Sequence, residues 1–138
     1  MPYFFHPIEV ANEVATYIER TAIDYQLYNA IIVALLHDVI EDTEYTEANL
    51  RERFDDSSVD AVVLLSKVPT LDYRTNIQRI IDSNNITSMF VKLADNRVNR
   101  RGDKSHMSQE RAAKLNARYD MSINMLVDAL ATHGYHVE

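Results

Sequence analysis

Apolar residues recur every three to four positions along much of the chain, which is the spacing of an amphipathic helix. The first stripe consists of Ile8, Val10, Ala11, Val14, Ala15 and Ile18. Since proline suits the first helical turn, this helix should begin near His6-Pro7. A second helix should run from about Asp24, an N-cap residue type, to Glu41 or Asp42, and its centre is apolar all round, as expected at the middle of a bundle. Its Ile-Ile-Val content also fits a buried strand, but the pattern is too long for one.

Polar caps and helix breakers divide the rest of the chain into further helices. Thr46 followed by Glu47 has the pattern of an N-cap with an acid in the first turn, and predicts a helix through Leu50 and Phe54. Another helix is predicted from about Val59 to Lys67, and Pro69 stops it. Two more helices should span about Asp72 to Ile81 and about Ile86 to Arg101, the second of which ends at Gly102. The last helix should run from Ser108 towards Gly134. The sequence therefore predicts an all-α protein of six or seven helices around a central buried helix.

Length and composition agree with a single compact helical domain over residues 1–138. The chain has two glycines and three prolines, which are too few breakers for a sheet of many short strands. No repeat, low-complexity segment or linker divides the sequence. We therefore expect every candidate residue to belong to one folded unit.

Charge and cysteine content exclude several classes of function. The chain has 14 basic and 21 acidic residues, and its net charge of −7 argues against broad nucleic-acid binding. It has no cysteine, which excludes disulfides, zinc fingers and thiol nucleophiles and fits a reducing compartment. The longest apolar run is too short to span a bilayer, and the first residues lack the pattern of a signal peptide. We therefore expect a cytoplasmic protein with no membrane partner.

The most hydrophobic segment, residues 30–36, runs directly into His37-Asp38 and then Glu41-Asp42. Burying such charges costs several kcal/mol unless something pairs with them, and a bound metal ion is one such partner. A lone His-Asp pair is more often a capping or surface feature. Adjacent residues on a helix diverge by about 100°, so His37 and Asp38 should share an ion only near the helix edge.

Two further side chains extend this cluster. Asp95, in "VKLADNR", lies at the margin of an apolar helix face, where an acid is either an interhelical salt bridge or a ligand. His6 begins the first helix, and a single histidine there is usually a surface residue. Together, His6, His37, Asp38 and Asp95 supply two imidazoles and two carboxylates. That mixed set suits a divalent ion such as Mn²⁺, Fe²⁺ or Zn²⁺.

These residues resemble the H…HD…D signature of HD-superfamily metal-dependent phosphohydrolases. More narrowly, "PYFFHPIEVA", "ALLHDVIEDT" and "VKLADNRVN" are similar to the hydrolase domain of Rel/Spo-type enzymes and to the small stand-alone alarmone hydrolases. Enzymes of this kind remove the 3′-pyrophosphate from (p)ppGpp. The resemblance extends from Pro2 to about Leu130, and implies an HD-type domain that acts on a small phosphorylated nucleotide.

The resemblance also implies roles for individual residues. Mn²⁺, or else Fe²⁺, Zn²⁺ or Mg²⁺, would be held by His6, His37, Asp38 and Asp95. The acidic pair that handles the protons of the attacking water and the leaving oxygen would be Glu41 and Asp42, whose proximity should separate their proton affinities. Substrate contacts are implied for Lys67, which would bind phosphate, for Asn99 and for Tyr119.

The chain departs from this family where the base is recognised. The family carries a guanine-stacking arginine several residues before its first metal histidine, and we expect no such arginine before His6. After Asn99 the chain reads "RRGDK", where the family usually has a threonine and leucines that line the base pocket. These departures predict weakened guanine specificity.

A group of cations follows Asp95 at intervals of three and four residues, and so shares one helix face. Its members are Arg97, Arg100, Arg101 and Lys104. They either complement the helix dipole and face water, or form a positive funnel that attracts phosphates.

Three functional hypotheses remain open. The first is an alarmone hydrolase, and the second is an HD phosphohydrolase that acts on another nucleotide. The third is a non-catalytic helical protein whose metal site serves stability or an interface. The Glu41-Asp42 pair argues against the third hypothesis, because a structural metal site does not need residues that activate water.

Overall fold

The computed structural model describes residues 5–21 and 27–137, and this part of the chain is helical without a strand. Its helices are α1 (Phe5–Thr21), α2 (Leu27–Leu36), α3 (Val39–Asp42), α4 (Glu47–Arg51), α5 (Asp56–Leu65), α6 (Tyr73–Asp82), α7 (Ile86–Arg101) and α8 (Gln109–Thr132). They pack around one core, which confirms the predicted fold class. None of the described helices has both the length and the hydropathy that crossing a bilayer requires.

The second predicted helix is divided into two, so the described residues form eight helical segments rather than six or seven. Helix α2 ends at Leu36, and His37 and Asp38 form a turn before the short helix α3. The prediction of one continuous helix through residue 42 is therefore wrong. The predicted N-cap, Asp24, lies outside the described residues.

Side-chain caps begin the helices where the sequence predicts them. The hydroxyl of Thr46 accepts the backbone N–H of Asn49, whose side chain accepts the backbone N–H of Thr46 in return. Asp72 and Ser108 cap α6 and α8 through their own side chains. Helix α4 is shorter than predicted and ends before Phe54, which packs on the core from the segment that follows.

Helix α1 meets the core through one row of side chains. Val10, Val14 and Tyr17 are almost fully buried, and their spacing places them on one face of the helix. Ile8, which was predicted to belong to the apolar stripe, is 44% exposed because it lies beside this row. The side chain of Ile18 lies outside the described part of the structure.

Helix α7 occupies the centre of the fold, where it packs against α1, α2, α5, α6 and α8. The sequence assigned this position to the second helix, and α2 is indeed buried against α1, α5 and α7. Full burial of a side chain such as Phe90 or Leu93 of α7 contributes about 1.5–3 kcal/mol. Because α7 contacts both α1 and α2, it brings three distant segments of the chain to one place.

Candidate metal centre

The four predicted metal ligands come from three elements that pack against one another. His6 lies in the first turn of α1, His37 and Asp38 lie in the turn after α2, and Asp95 lies in the middle of α7. The break between α2 and α3 removes the angular divergence that a continuous helix would impose on His37 and Asp38. Both side chains consequently reach the same point, and Nε2 of His37 lies 3.0 Å from Oδ2 of Asp38.

The remaining distances show that all four side chains converge. Nε2 of His6 lies 2.8 Å from Oδ1 of Asp95 and 3.9 Å from Oδ2 of Asp38. Nε2 of His37 lies 3.4 Å from Oδ1 of Asp95. Donor atoms of His6, His37 and Asp38 lie within 4.8 Å of one another, a spacing compatible with ligands that surround one ion at about 2.0–2.2 Å. Asp95 does not belong to this group of three, although its Oδ1 lies near both histidines.

His37 supplies the most informative atom of the cluster. Its side chain is 3% exposed, and Nδ1 lies 2.6 Å from the carbonyl oxygen of Ala34. Since a carbonyl only accepts, Nδ1 must be the donor, and this fixes the lone pair of the neutral ring on Nε2. That Nε2 is buried without a hydrogen-bond partner among the described residues. Beside two carboxylates this Nε2 requires positive charge, supplied either by its own proton or by a bound cation, and an imidazole oriented by a backbone carbonyl is the arrangement of a metal ligand.

The charges of the cluster reinforce this requirement. Burial opposes a charge on His37, but contact with the carboxylates of Asp38 and Asp95 outweighs burial and raises its pKa to about 10. Burial would likewise raise the pKa of Asp95, yet Lys92, His37 and His6 hold it well below its usual range. Asp95 is therefore a buried anion, and the centre demands positive charge.

Neighbouring residues on α7 orient the carboxylate of Asp95. Nζ of Lys92 lies 3.0 Å from Oδ2, and the side-chain amide of Asn99 donates to Oδ1 at 3.2 Å. These residues lie three positions before and four after Asp95, and so share its helix face. Asn99 was predicted to contact the substrate, and the structure places it against Asp95.

The predicted catalytic pair lies on α3, and both side chains are exposed. Oε1 of Glu41 accepts the backbone N–H of Lys67 at 2.5 Å, which connects α3 to the segment after α5. Partial burial and the negative charge of Asp38 raise the pKa of Asp42. The acid that acts on Asp42 is thus Asp38, and the sequence had led us to expect this effect from Glu41 and from further acids nearby.

A cavity of about 280 Å³ opens beside the cluster, and Asp38 and Glu41 form part of its wall. Its other polar and charged lining includes Lys67, Tyr73, Lys92 and Arg118. Of the three predicted substrate residues, Lys67 lines this cavity, whereas Asn99 and Tyr119 are not part of its described lining. The ring of Tyr119 is instead in contact with Nζ of Lys104, 5.8 Å from the ring centroid.

Sequence reasoning missed several residues of this cavity, and three of them are Lys92, Tyr73 and Arg118. Lys92 stands three positions before Asp95, and this spacing was a signal that could have placed it on the same face. Tyr73 and Arg118 carry no such signal, because they meet only when α6 packs against α8.

The cations after Asp95 have partners in the fold, and these bear on the two alternatives that the sequence left open. Arg101 binds Glu13 at 2.6 Å, and Arg100 binds Asp120 at 2.8 Å. Nζ of Lys104 donates to three carbonyl oxygens at the C-terminal end of α7, and Arg97 lies over the ring of Tyr17. These partners support the structural alternative, in which the cations fasten α7 to its neighbours and complement its dipole.

Comparison with known proteins agrees with this geometry. Residues 3–119 match the HD domain, and the chain therefore belongs to the HD domain family.

The chain is also similar to parts of several longer proteins. The chain is 36% identical over 109 residues to a guanosine-3′,5′-bis(diphosphate) 3′-pyrophosphohydrolase of Haemophilus influenzae, covering 72% of this chain and 15% of that protein. It is 33% identical over 109 residues to the bifunctional (p)ppGpp synthase/hydrolase SpoT of Escherichia coli, covering 72% of this chain and 14% of SpoT. It is 35% identical over 127 residues to a GTP pyrophosphokinase of Myxococcus xanthus, covering 83% of this chain and 16% of that protein. The chain thus spans only a small part of each of these relatives.

Proposed function

We propose that the protein is a cytoplasmic, Mn²⁺-dependent (p)ppGpp 3′-pyrophosphohydrolase, and that residues 1–138 act as one HD-type domain. The observation that carries this proposal is the convergence of His6, His37 and Asp38, whose donor atoms lie within 4.8 Å of one another beside a cavity lined by cations. The names of two relatives, from Haemophilus influenzae and Escherichia coli, include hydrolysis of this nucleotide. In this reaction water cleaves the 3′ ester bond of ppGpp, and GDP and pyrophosphate are released.

We assign the metal to Nε2 of His6, Nε2 of His37, Oδ2 of Asp38 and Oδ1 of Asp95. Two imidazoles and two carboxylates suit Mn²⁺, and they also accept Fe²⁺, Zn²⁺ or Mg²⁺. When bound, the ion polarises a phosphoryl oxygen and lowers the pKa of a coordinated water.

The two acidic residues of α3, Glu41 and Asp42, have different roles in the proposed reaction. Asp42 exchanges protons with the attacking water and the leaving oxygen, and its raised pKa suits a group that must hold a proton during the cycle. Glu41 holds the segment that bears Lys67 through its bond to the backbone. Lys67 and Lys92 then supply positive charge to the phosphates in the cavity.

A second candidate function is hydrolysis of another phosphorylated nucleotide by the same centre. The positions of two residues favour it. The side chain of Asn99 donates to Asp95, and Tyr119 is absent from the described lining of the cavity. Two of the three residues proposed to contact the substrate are thus outside this cavity. The nucleotide contacts implied by the family resemblance are the part of the proposal that depends on them.

The test is product analysis by anion-exchange chromatography after incubation with Mn²⁺ and either ppGpp or a panel of other nucleotides. We expect pyrophosphate release from ppGpp by the wild type, and none by His37→Ala or Asp38→Ala. His106→Ala is a matched control, because His106 is an exposed loop residue, and it should retain activity. Preferential turnover of another nucleotide would support the second candidate. A protein that binds Mn²⁺ and hydrolyses nothing on the panel would contradict both.

A further inference from the structure

The cavity beside the metal centre contains a second cationic element, built from Tyr73 of α6 and Arg118 of α8. The guanidinium carbon of Arg118 lies 5.1 Å from the centroid of the Tyr73 ring. A guanidinium over an aromatic ring is held by a cation–π interaction and keeps its N–H groups directed outward. Both residues line the cavity that also includes Asp38 and Glu41.

The ring of Tyr73 is fixed from beneath by a buried polar network. Its hydroxyl donates to Oδ1 of Asn96 at 2.6 Å. The side-chain amide of Asn96 donates in turn to the hydroxyl of Ser122. Asn96 and Ser122 are fully buried, so the network holds α6, α7 and α8 together at this point. Tyr73 is therefore a rigid platform for the guanidinium above it.

A continuous line of contacts connects this platform to the metal centre. Oδ2 of Asp95 lies 3.0 Å from Nζ of Lys92, and that Nζ lies 5.8 Å from the centroid of the Tyr73 ring. Arg118 follows on the same ring. A bound molecule that reaches from the centre along the cavity would pass Lys92 first and Arg118 second.

Arg118 differs from Arg100 and Arg101 because no carboxylate of the described residues pairs with it. Arg100 and Arg101 are both paired with carboxylates. Arg79 donates to two backbone carbonyls at the end of α5. Within residues 5–17 and 29–137, whose side chains the structure describes, Arg118 has no carboxylate at ion-pair distance, and it is exposed. Its planar set of donors is thus available to an anion, and a phosphate accepts such a set in a bidentate manner.

We propose that Arg118, held on the Tyr73 platform, binds a second phosphate group of the substrate, remote from the one that reacts at the metal centre. This inference rests on the proposed function, whose substrate carries phosphate at both the 3′ and the 5′ positions, and it assigns the residue that recognises the second group. The enzyme selects nucleotides that carry phosphate at two separate positions, and Arg118 determines that selection without touching the reacting atoms. Lys67 and Lys92 line the cavity closer to the reacting phosphate, because Lys92 contacts Asp95 and Lys67 is bound to Glu41.

The test compares two ligands that differ only in the second phosphate, guanosine 3′,5′-bisphosphate and guanosine 3′-monophosphate. Their affinities for the Mn²⁺-loaded protein are measured by calorimetry, and the KM replaces the Kd for any ligand that turns over. We expect the wild type to prefer the bisphosphate. Arg118→Gln should weaken bisphosphate binding by about 10- to 100-fold and leave the monophosphate unchanged, because one charge-assisted contact is lost. Arg118→Lys should restore part of the loss.

Arg111→Gln is the matched control, since Arg111 is an exposed arginine on the same helix that does not line the cavity. It should bind both ligands as the wild type does. The inference is overturned if Arg118→Gln binds the bisphosphate normally, if it loses both ligands equally, or if the wild type has no preference. A wild type that binds through Arg118 but hydrolyses no phosphoester overturns only the proposed function. An active enzyme that is indifferent to Arg118→Gln overturns only this inference.

Discussion

Replacement of Lys92 by methionine removes a charge from the most buried part of the centre while keeping the length of the side chain. Nζ of Lys92 lies 3.0 Å from Oδ2 of Asp95, and the two side chains are 19% and 8% exposed. Removal of one partner of a buried ion pair costs about 3–5 kcal/mol, because the other charge is left uncompensated. Because Lys92 remains partly exposed, we expect the loss of unfolding free energy to lie near the lower end of this range, at about 3 kcal/mol.

The bound metal should change this cost. In the metal-free protein, Asp95 would retain only the two histidines as sources of positive charge. In the Mn²⁺-loaded protein, the ion itself would compensate Asp95, so the same substitution should cost less. By linkage, Lys92→Met should therefore bind Mn²⁺ more tightly than the wild type does.

Urea unfolding of the wild type and Lys92→Met, each with Mn²⁺ and with a chelator, measures both effects. Lys114→Met is the control, because Lys114 forms only an exposed pair with Glu110, worth about 0–1 kcal/mol. The control should lose little stability under either condition. An equal loss for Lys92→Met with and without Mn²⁺ would refute the reasoning, since Asp95 would then not be a ligand that the ion neutralises.

Two further predictions concern the chemistry of the centre. Asp42→Asn should lower kcat by about 10²- to 10⁴-fold, because Asp42 is proposed to move protons during the reaction. Its Mn²⁺ affinity should stay close to that of the wild type, because Asp42 is not proposed to bind the ion. A parallel loss of Mn²⁺ binding in titrations would contradict that role. Mn²⁺ binding should strengthen as the pH rises from 6 to 9. The pKa of His37 is raised to about 10, so the metal-free imidazole carries a proton that the ion must displace. Calorimetry in buffers of different ionisation enthalpy should detect proton release on binding, and an affinity that is independent of pH over this range would count against His37 as a ligand.

Local features of the fold could be predicted from the sequence because their causes are local. The predicted caps at Thr46 and Ser108 depend on hydrogen bonds within three residues, and the structure contains both. The proposed ligand set could be named because its residue types and order resemble those of a known family, and the structure brings the side chains of His6, His37, Asp38 and Asp95 close together.

Features that depend on tertiary packing could not be predicted in this way. The apolar run before His37 continues the helical pattern, so nothing local marks the break that aims His37 and Asp38 at one point. The partners of Arg100 and Arg101 lie on α8 and α1, and spacing along α7 does not reveal them. Periodicity shows which side chains share a face, but the neighbour that covers this face is set by the whole fold.

The most direct test of the metal centre is the count of Mn²⁺ bound per chain, measured by the electron paramagnetic resonance signal of the free ion. The account predicts one tightly bound Mn²⁺ in the wild type and in the control His106→Ala. His37→Ala and Asp95→Asn should bind at least about tenfold more weakly while remaining helical by circular dichroism, since each removes one of the four ligands. A folded His37→Ala variant that binds Mn²⁺ as tightly as the wild type, or a wild type that binds none, would contradict the account.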